Sequence, residues 1–241
     1  MDKIKIFFDD FTFHARVMPV LVMLLPIIIL GCIKGILTNG FMDTTLYITI
    51  FVICLTVMSK MARNKGKAYE AKMYSDLGGK PTTILMRFSD TNINNVSKKK
   101  YHERLNQRLE GINLPLSSEE ETEESDLLYE ATINWLRNHA THNRKEEFRV
   151  QQELKEYNFW RNMYGIKYIG LVLYILIGIR EYFMIEEFNI NAMIKSPYPQ
   201  YIALWCIIIS IVVIVFGVNK KTVKDKAFDY SKTLIEVCER L

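Results

Sequence analysis

Four apolar stretches, near residues 17–33, 44–59, 166–179 and 201–218, fall into two pairs separated by about a hundred residues dense in charge. A hydrocarbon layer about 30 Å thick is crossed by roughly 20 apolar helical residues. The layout therefore predicts an integral membrane protein with four spans. The first and last stretches approach the required length unaided. The second opens after Asp43 and meets no charge before Lys60, and the third extends past Arg180 through Tyr182, Phe183, Met184 and Ile185.

Lysine and arginine near span ends stay on the cytoplasmic side. Lys3, Lys5 and Arg16 precede the first span, and Lys60, Arg63, Lys65 and Lys67 follow the second. Arg161 and Lys167 flank the third, and Lys220, Lys221, Lys224 and Lys226 follow the fourth. The opposite loops hold only Lys34 in one and Arg180 and Lys195 in the other. Both termini and the central segment are thus expected in the cytoplasm. Phe7, Phe8, Asp9, Asp10 and Phe11 precede the first stretch with acid and aromatic character, unlike the basic start of a cleavable signal, so that stretch reads as an uncleaved span. The net charge of +4 is largely this topology signal and does not by itself argue for nucleic acid.

Cys32, Cys54, Cys206 and Cys238 form no paired motif, and metal or disulfide frameworks need convergent spacing. They read as small apolar filler. His14, His102, His139 and His142 have no cysteine nearby, so no metal, cofactor or catalytic constellation is expected.

The expected fold is all-α, with two transmembrane pairs and a helical insert between the second and third spans. Its divisions are 1–59, 60–165, 166–218 and a tail over 219–241. From Ser59 the second helix is expected to run on to Gly78 and Gly79, glycine being the usual residue just past a helix, with Gly66 a weak point in its middle. Thr82 to Phe88, after Pro81, reads either as a short strand or as a helical turn. Ser97 to Glu110 reads as an amphipathic helix stopped by Gly111, and Asn113 to Ser125 as a loop. The acidic run Glu119, Glu120, Glu121, Glu123, Glu124 reads as a solvated face or a first helical turn. A helix is expected from Asp126, a polar break over Asn138 to Asn143, and a helix from Arg144 feeding the third span.

Thr45, Thr49, Val52, Thr56 and Ser59 recur at spacings of four, three, four and three, which aligns them along one side of a helix. Such a stripe either lines a pore or hydrogen-bonds to the preceding turn and to neighbouring helices. Gly170, Tyr174 and Gly178 form a close-approach face in the third span, and Pro19 and Pro26 bend the first. Glu181, Glu186 and Glu187 in the outer loop would attract cations if ringed around a mouth. Lys80, Arg87, Lys98, Lys99, Lys100 and Arg104, beside Gly78 and Gly79, suit a phosphate-bearing ligand, acidic lipid headgroups or plain solubility. Leu77 to Thr83 lacks phosphate-loop spacing, and Pro81 stands where a magnesium-binding hydroxyl would.

Arg137, Asn138 and His142 fit a short pattern that resembles the ribonuclease motif of HEPN nucleases, which would place Arg137 and His142 on a scissile phosphate. A broader resemblance covers residues 60–175. Gly78 to Asp90 (GGKPTTILMRFSD), Lys100, Tyr101 and His102, Leu114 and Pro115, Tyr129, Trp135 to Arg137, and Tyr157 to Asn162 with Gly165 are similar to a bacterial family of small multi-pass proteins. Four-span proteins of this kind are membrane effectors of anti-phage systems, the Hailong channel effector and the membrane component of Kiwa being the nearest types. The resemblance implies an inner-membrane channel, homo-oligomeric and favouring a tetramer. A nucleotide or oligonucleotide signal on the cytoplasmic domain would gate it, with a nucleotide-signalling enzyme as partner. A non-conducting anchored scaffold or sensor for a soluble partner is the alternative.

Overall fold

The computed structural model describes residues 9–33, 41–185 and 199–241, and for residues 32–33, 41–47, 199 and 200 the backbone course alone. Every regular element among them is helical. A turn at Asp10–Thr12 and a π-helical turn at Phe13–Val17 lead into α1 (Met18–Ile33). The order continues with α2 (Phe41–Leu77), α3 (Pro81–Met86), α4 (Asn95–Arg108), α5 (Ser125–His142), α6 (Phe148–Phe183), α7 (Pro199–Gly217), α8 (Lys220–Ile235) and a 3-10 turn at Glu236–Arg240. The chain divides into two compact units. One comprises Met1–Tyr69 with Asn158–Val223, the other Glu70–Tyr157 with Lys224–Leu241.

Two described helices, Asp10–Gly31 and Phe148–Phe183, are long and apolar enough to cross a membrane. A third crossing results if Tyr201–Gly217 and Lys220–Arg240, bent by 54° from each other, count as one. The start of the second expected span, with Thr45, lies where no side chains are described. Lys34, Glu186, Glu187 and Lys195 of the expected outer loops lie outside the described residues.

In the first unit, packing is set by glycines and by side chains that serve prolines. A side chain at Gly165 would stand 2.5 Å from the Gly66 nitrogen and 2.7 Å from the Ala62 carbonyl. The backbones of α2 and α6 therefore touch there, the close approach that small residues spaced by four permit. Gly66, expected as a weak point in α2, is this contact. Pro19 has no N–H for the Ala15 carbonyl four residues back, and Asn162 Nδ2 donates to that oxygen at 2.6 Å. Near Pro26, the Tyr174 hydroxyl donates to the Met23 carbonyl at 2.5 Å. Lys167 Nζ donates to the Val215 and Val218 carbonyls at 3.0 and 2.6 Å, placing a cation on the negative end of α7. Outside this core the helices expose large apolar side chains, among them Ile53 (58%), Leu176 (59%), Val213 (60%) and Phe216 (74%). Exposed apolar area of this extent is covered by lipid or protein in a stable molecule.

In the second unit, α2 ends where expected. Gly79 N–H bonds to the Tyr74 carbonyl at 3.0 Å and Gly78 N–H to that of Ser75 at 3.2 Å, with φ of +72° at Gly78. This is the glycine-ended helix closure. Pro81 opens α3 as its first residue, a place where its missing N–H is harmless, so Thr82 to Met86 is helical, not a strand. Asn94 rather than Ser97 caps α4, accepting from the Ser97 amide at 2.8 Å. The expected break at Asn138 to Asn143 is instead the last turn of α5, which runs to His142.

Of the segment expected as a tail over 219–241, Lys224–Leu241 belongs to this unit and the residues up to Val223 to the first. Ala227, Tyr230, Leu234 and Cys238 are buried, at spacings of three and four that form one helical face. Arg104 Nη1 donates to the Cys238 and Glu239 carbonyls at 2.8 and 2.5 Å, and Tyr101 donates to Glu239 at 2.6 Å. Glu147, 4% exposed, pairs with Arg240.

Candidate functional site

The hydroxyl stripe lies on a flank of α2. Leu55 and Ala62 mark the buried face, and Ile53, Val57 and Met61 the exposed one. At 100° per residue the stripe falls between the two. Thr49 and Val52 are exposed, Thr56 half-buried and Ser59 buried. Thr56 donates to the Val52 carbonyl at 2.8 Å and Ser59 to that of Leu55 at 2.7 Å. Both hydroxyls thus spend their proton on the preceding turn and keep lone pairs to accept with.

The six basic residues of the second unit do not form one open surface. Lys80 pairs with Glu130 at 2.7 Å. Arg87 grips Asp126 through Nε at 2.9 Å and Nη2 at 2.5 Å, and also reaches the Gly78 carbonyl. The Asp126 hydrogen bonds raise the Arg87 pKa above its ordinary value, burial opposing them. Lys98 is 1% exposed and donates to the carbonyls of Arg87 and Asp90. Arg104 is engaged by the C-terminal turn, which leaves Lys99 and Lys100 as the exposed members of the set.

Beside Arg87 a pocket of about 320 Å³ is lined by Glu121, Thr122, Glu123, Ser125, Asp126 and Tyr129. Glu121, from the acidic run expected to be solvated, accepts from the Phe88 amide at 2.8 Å and the Tyr129 hydroxyl at 2.7 Å. Burial first, and then Glu121, push the Tyr129 phenol above its ordinary pKa, so it remains a donor. Sequence reasoning missed this role because the partners of Glu121 come from two other segments.

Arg137 and His142 do not converge. Arg137 lies beside Tyr230, whose pKa burial raises and the Arg137 charge lowers, whereas His142 is exposed and its Nδ1 lies 2.7 Å from the Asn138 carbonyl. Five residues along one helix set them roughly 140° apart. Tyr74, Tyr157 and Glu70 form a further cluster that the sequence did not signal. The Tyr157 hydroxyl donates to Glu70 Oε1 at 2.5 Å, and the Tyr74 hydroxyl is 3.1 Å from both Glu70 Oε1 and Tyr157 Oη.

His102 is fully buried between Phe88 and Tyr129. Its Nδ1 donates to the Pro115 carbonyl at 2.6 Å, and Nε2 has no partner. A second ring proton would have nowhere to go, and burial accordingly lowers the pKa below 6.5. The unfolded chain takes up this proton first as pH falls, so stability decreases from pH 6.5 downward until the folded pKa is reached. The slope is at most about 1.4 kcal/mol per pH unit for one proton. Thermal melts of the full chain between pH 7 and 5 are expected to lose this slope in His102→Gln, and an unchanged slope would exclude His102 as its source.

No family model, curated protein or solved structure matches the chain. Its functional reading therefore rests on the residues themselves.

Proposed function

We propose that this chain is a subunit of a homo-oligomeric ion channel of the bacterial inner membrane, with four spans per subunit and both termini cytoplasmic. The observation that carries the reading is α2, which in a single chain exposes Ile48, Ile53 and Val57 while Thr49, Val52, Thr56 and Ser59 follow its flank. Exposed apolar side chains need lipid or a second subunit to cover them, and closed rotational symmetry, a tetramer being favoured, would bring copies of one flank around an axis. Hydroxyl oxygens already bonded to their own helix can still accept from water or solvate a cation.

Gating is assigned to the second unit because α2 and α6 are continuous helices that contribute to both units. A nucleotide or oligonucleotide ligand would meet Lys99 and Lys100 of α4, and to open the channel it must bind the open state more tightly than the closed one. The setting in anti-phage defence, with a nucleotide-signalling enzyme as partner, rests on the resemblance of residues 60–175.

Planar-bilayer recording from the purified protein, with candidate nucleotides on the cytoplasmic side, tests the reading. Discrete ligand-dependent steps are expected, and Thr49→Leu/Thr56→Leu should abolish them while leaving the protein inserted and assembled. Unaltered currents in the double variant would remove α2 from the conducting path. Persistent silence of correctly inserted wild type would favour the anchored scaffold.

A further inference from the structure

The outer half of α2 finds little support in its own chain. From Ile48 to Cys54 every residue is exposed except Phe51, which is half-buried. Further along, Leu55 and Ala62 turn inward, and at 100° per residue Ile50, Ile53, Val57 and Met61 form a ridge on the opposite side, 39% to 58% exposed. Three of these four are β-branched, with little rotamer freedom to lose on packing. The hydroxyl stripe runs roughly 120° around the helix from this ridge. One helix can therefore turn its ridge to a neighbour and its stripe to an axis.

A recess of about 560 Å³ runs between α6 and α7, with Tyr174, Ile175, Gly178 and Ile179 on one wall and Ile207 and Ile208 on the other. At Gly178 the walls are so close that a Cβ would touch Ile207 at 3.6 Å. The contact of Gly165 with Ala62 and Gly66 sets a common level for α6 and α2, which run in opposite directions, one leaving the second unit as the other enters it. Thirteen residues beyond Gly165, α6 reaches Gly178, and thirteen residues back from Ala62 and Gly66, α2 reaches residues 49 and 53. Both helices rise equally per residue, so Ile50 and Ile53 stand level with Gly178. A rotation axis along the membrane normal keeps that level in every copy.

We propose that the α2 ridge of one copy seats in the α6–α7 recess of the next, a contact that deepens the oligomeric reading above and rests on it. Ridge and recess are different surfaces, so the contact is head-to-tail and closes into a ring. At roughly 200 Å² for a large apolar side chain about half exposed, the ridge and the recess walls together present on the order of 1,000 Å², the size at which specific interfaces begin. Lipid tails are as apolar as isoleucine, so packing rather than escape from water drives association here. A recess between fixed walls gives a stiff ridge more close contacts than it gives a disordered acyl chain.

Disulfide trapping in intact membranes tests the contact, using the full-length chain with its four cysteines replaced by alanine. On oxidation Ile53→Cys/Ile208→Cys should give a ladder of dimer, trimer and higher products. Chains with Ile53→Cys alone, co-expressed with chains carrying Ile208→Cys alone, should give dimer only. A dimer from Ile53→Cys chains by themselves would replace the head-to-tail contact by a two-fold one, and absence of any product would leave the recess to lipid. Either result overturns the proposal. If the cysteine-free chain fails to assemble, particle mass in mild detergent is measured with the native cysteines in place. Wild type should be oligomeric, and Ile53→Trp should associate roughly tenfold more weakly or worse. Ile209→Trp, exposed on α7 outside the recess, should keep the wild-type mass. A monomeric wild type, or an Ile53→Trp protein of unchanged mass, would overturn the interface. Trapped products report assembly, whereas bilayer currents report conduction. A ladder from a silent protein would leave the interface standing and remove the channel, and currents without a ladder would do the reverse.

Discussion

Gly165→Val is expected to prevent stable assembly of the first unit, lowering stability by about 3–5 kcal/mol, beyond most core overpacking because the obstacle is backbone. The new Cβ would stand 2.5 Å from the Gly66 nitrogen and 2.7 Å from the Ala62 carbonyl. Neither atom can rotate away, and relief requires α2 and α6 to separate along their contact. That separation would also loosen the Asn162 bond to Ala15 and the packing around Ile166, which is fully buried. Gly178→Ala is the matched control on the same helix. Its Cβ would meet Ile207 at 3.6 Å, ordinary contact, and alanine is the better helix former by about 1 kcal/mol. Melting midpoints and monodisperse yield in detergent should therefore collapse for Gly165→Val and stay level or rise for Gly178→Ala. A Gly165→Val protein that melts with wild type would refute the contact.

That contrast shows where sequence pattern stops being informative. Gly170, Tyr174 and Gly178 stood out by their regular spacing, yet the tightest backbone approach is made by Gly66, the lone glycine of α2, and Gly165, which stands outside that four-residue pattern in α6. Their partnership spans 99 residues of sequence and becomes visible only when the helices are docked. Ala62 and Gly66 carry the one local hint, two small residues four apart, the spacing of close helix contacts. The α2 terminus was readable from Gly78, Gly79 and Pro81 because backbone conformation there is a property of the residues themselves. The α5 terminus was not, since Asn138 and His142 are polar because they face outward, not because the helix stops. Tyr230 and Leu234 show the opposite omission. Their helical spacing was present in the sequence, but a run of lysines around it reads as a solvated tail.

The basic residues of the second unit were legible as charges and illegible as a site. Glu130 and Asp126, which pair with Lys80 and Arg87, lie 50 and 39 residues further along the chain, and no local pattern announces such pairings. Arg104 is drawn to carbonyls more than 130 residues away. Charge density in a sequence thus marks where ions can be, and the fold decides which of them remain open to a ligand.

Lys98 makes that distinction measurable. Its side chain is 1% exposed, its ammonium donates to the carbonyls of Arg87 and Asp90, and Asp90 Oδ1 lies 3.8 Å away. Burial lowers its pKa below the usual lysine value, and the Asp90 carboxylate offsets this only in part. Lys98→Ala removes the three donor hydrogens from the turn that follows α3 and leaves a carboxylate short of its counter-charge in a buried setting. The expected loss is about 3–5 kcal/mol, the range for breaking a buried pair by deleting one partner. Lys98→Met keeps the apolar stem and should lose less, and adding Asp90→Asn to it should recover part of the difference by removing the stranded charge. Lys99→Ala, exposed on the same helix, should stay within about 0.5 kcal/mol of wild type. A ligand-binding lysine would show the reverse order, with Lys98→Ala stable and deficient in binding, so denaturant midpoints of these four variants decide whether Lys98 is an anchor of the fold or a contact for a ligand.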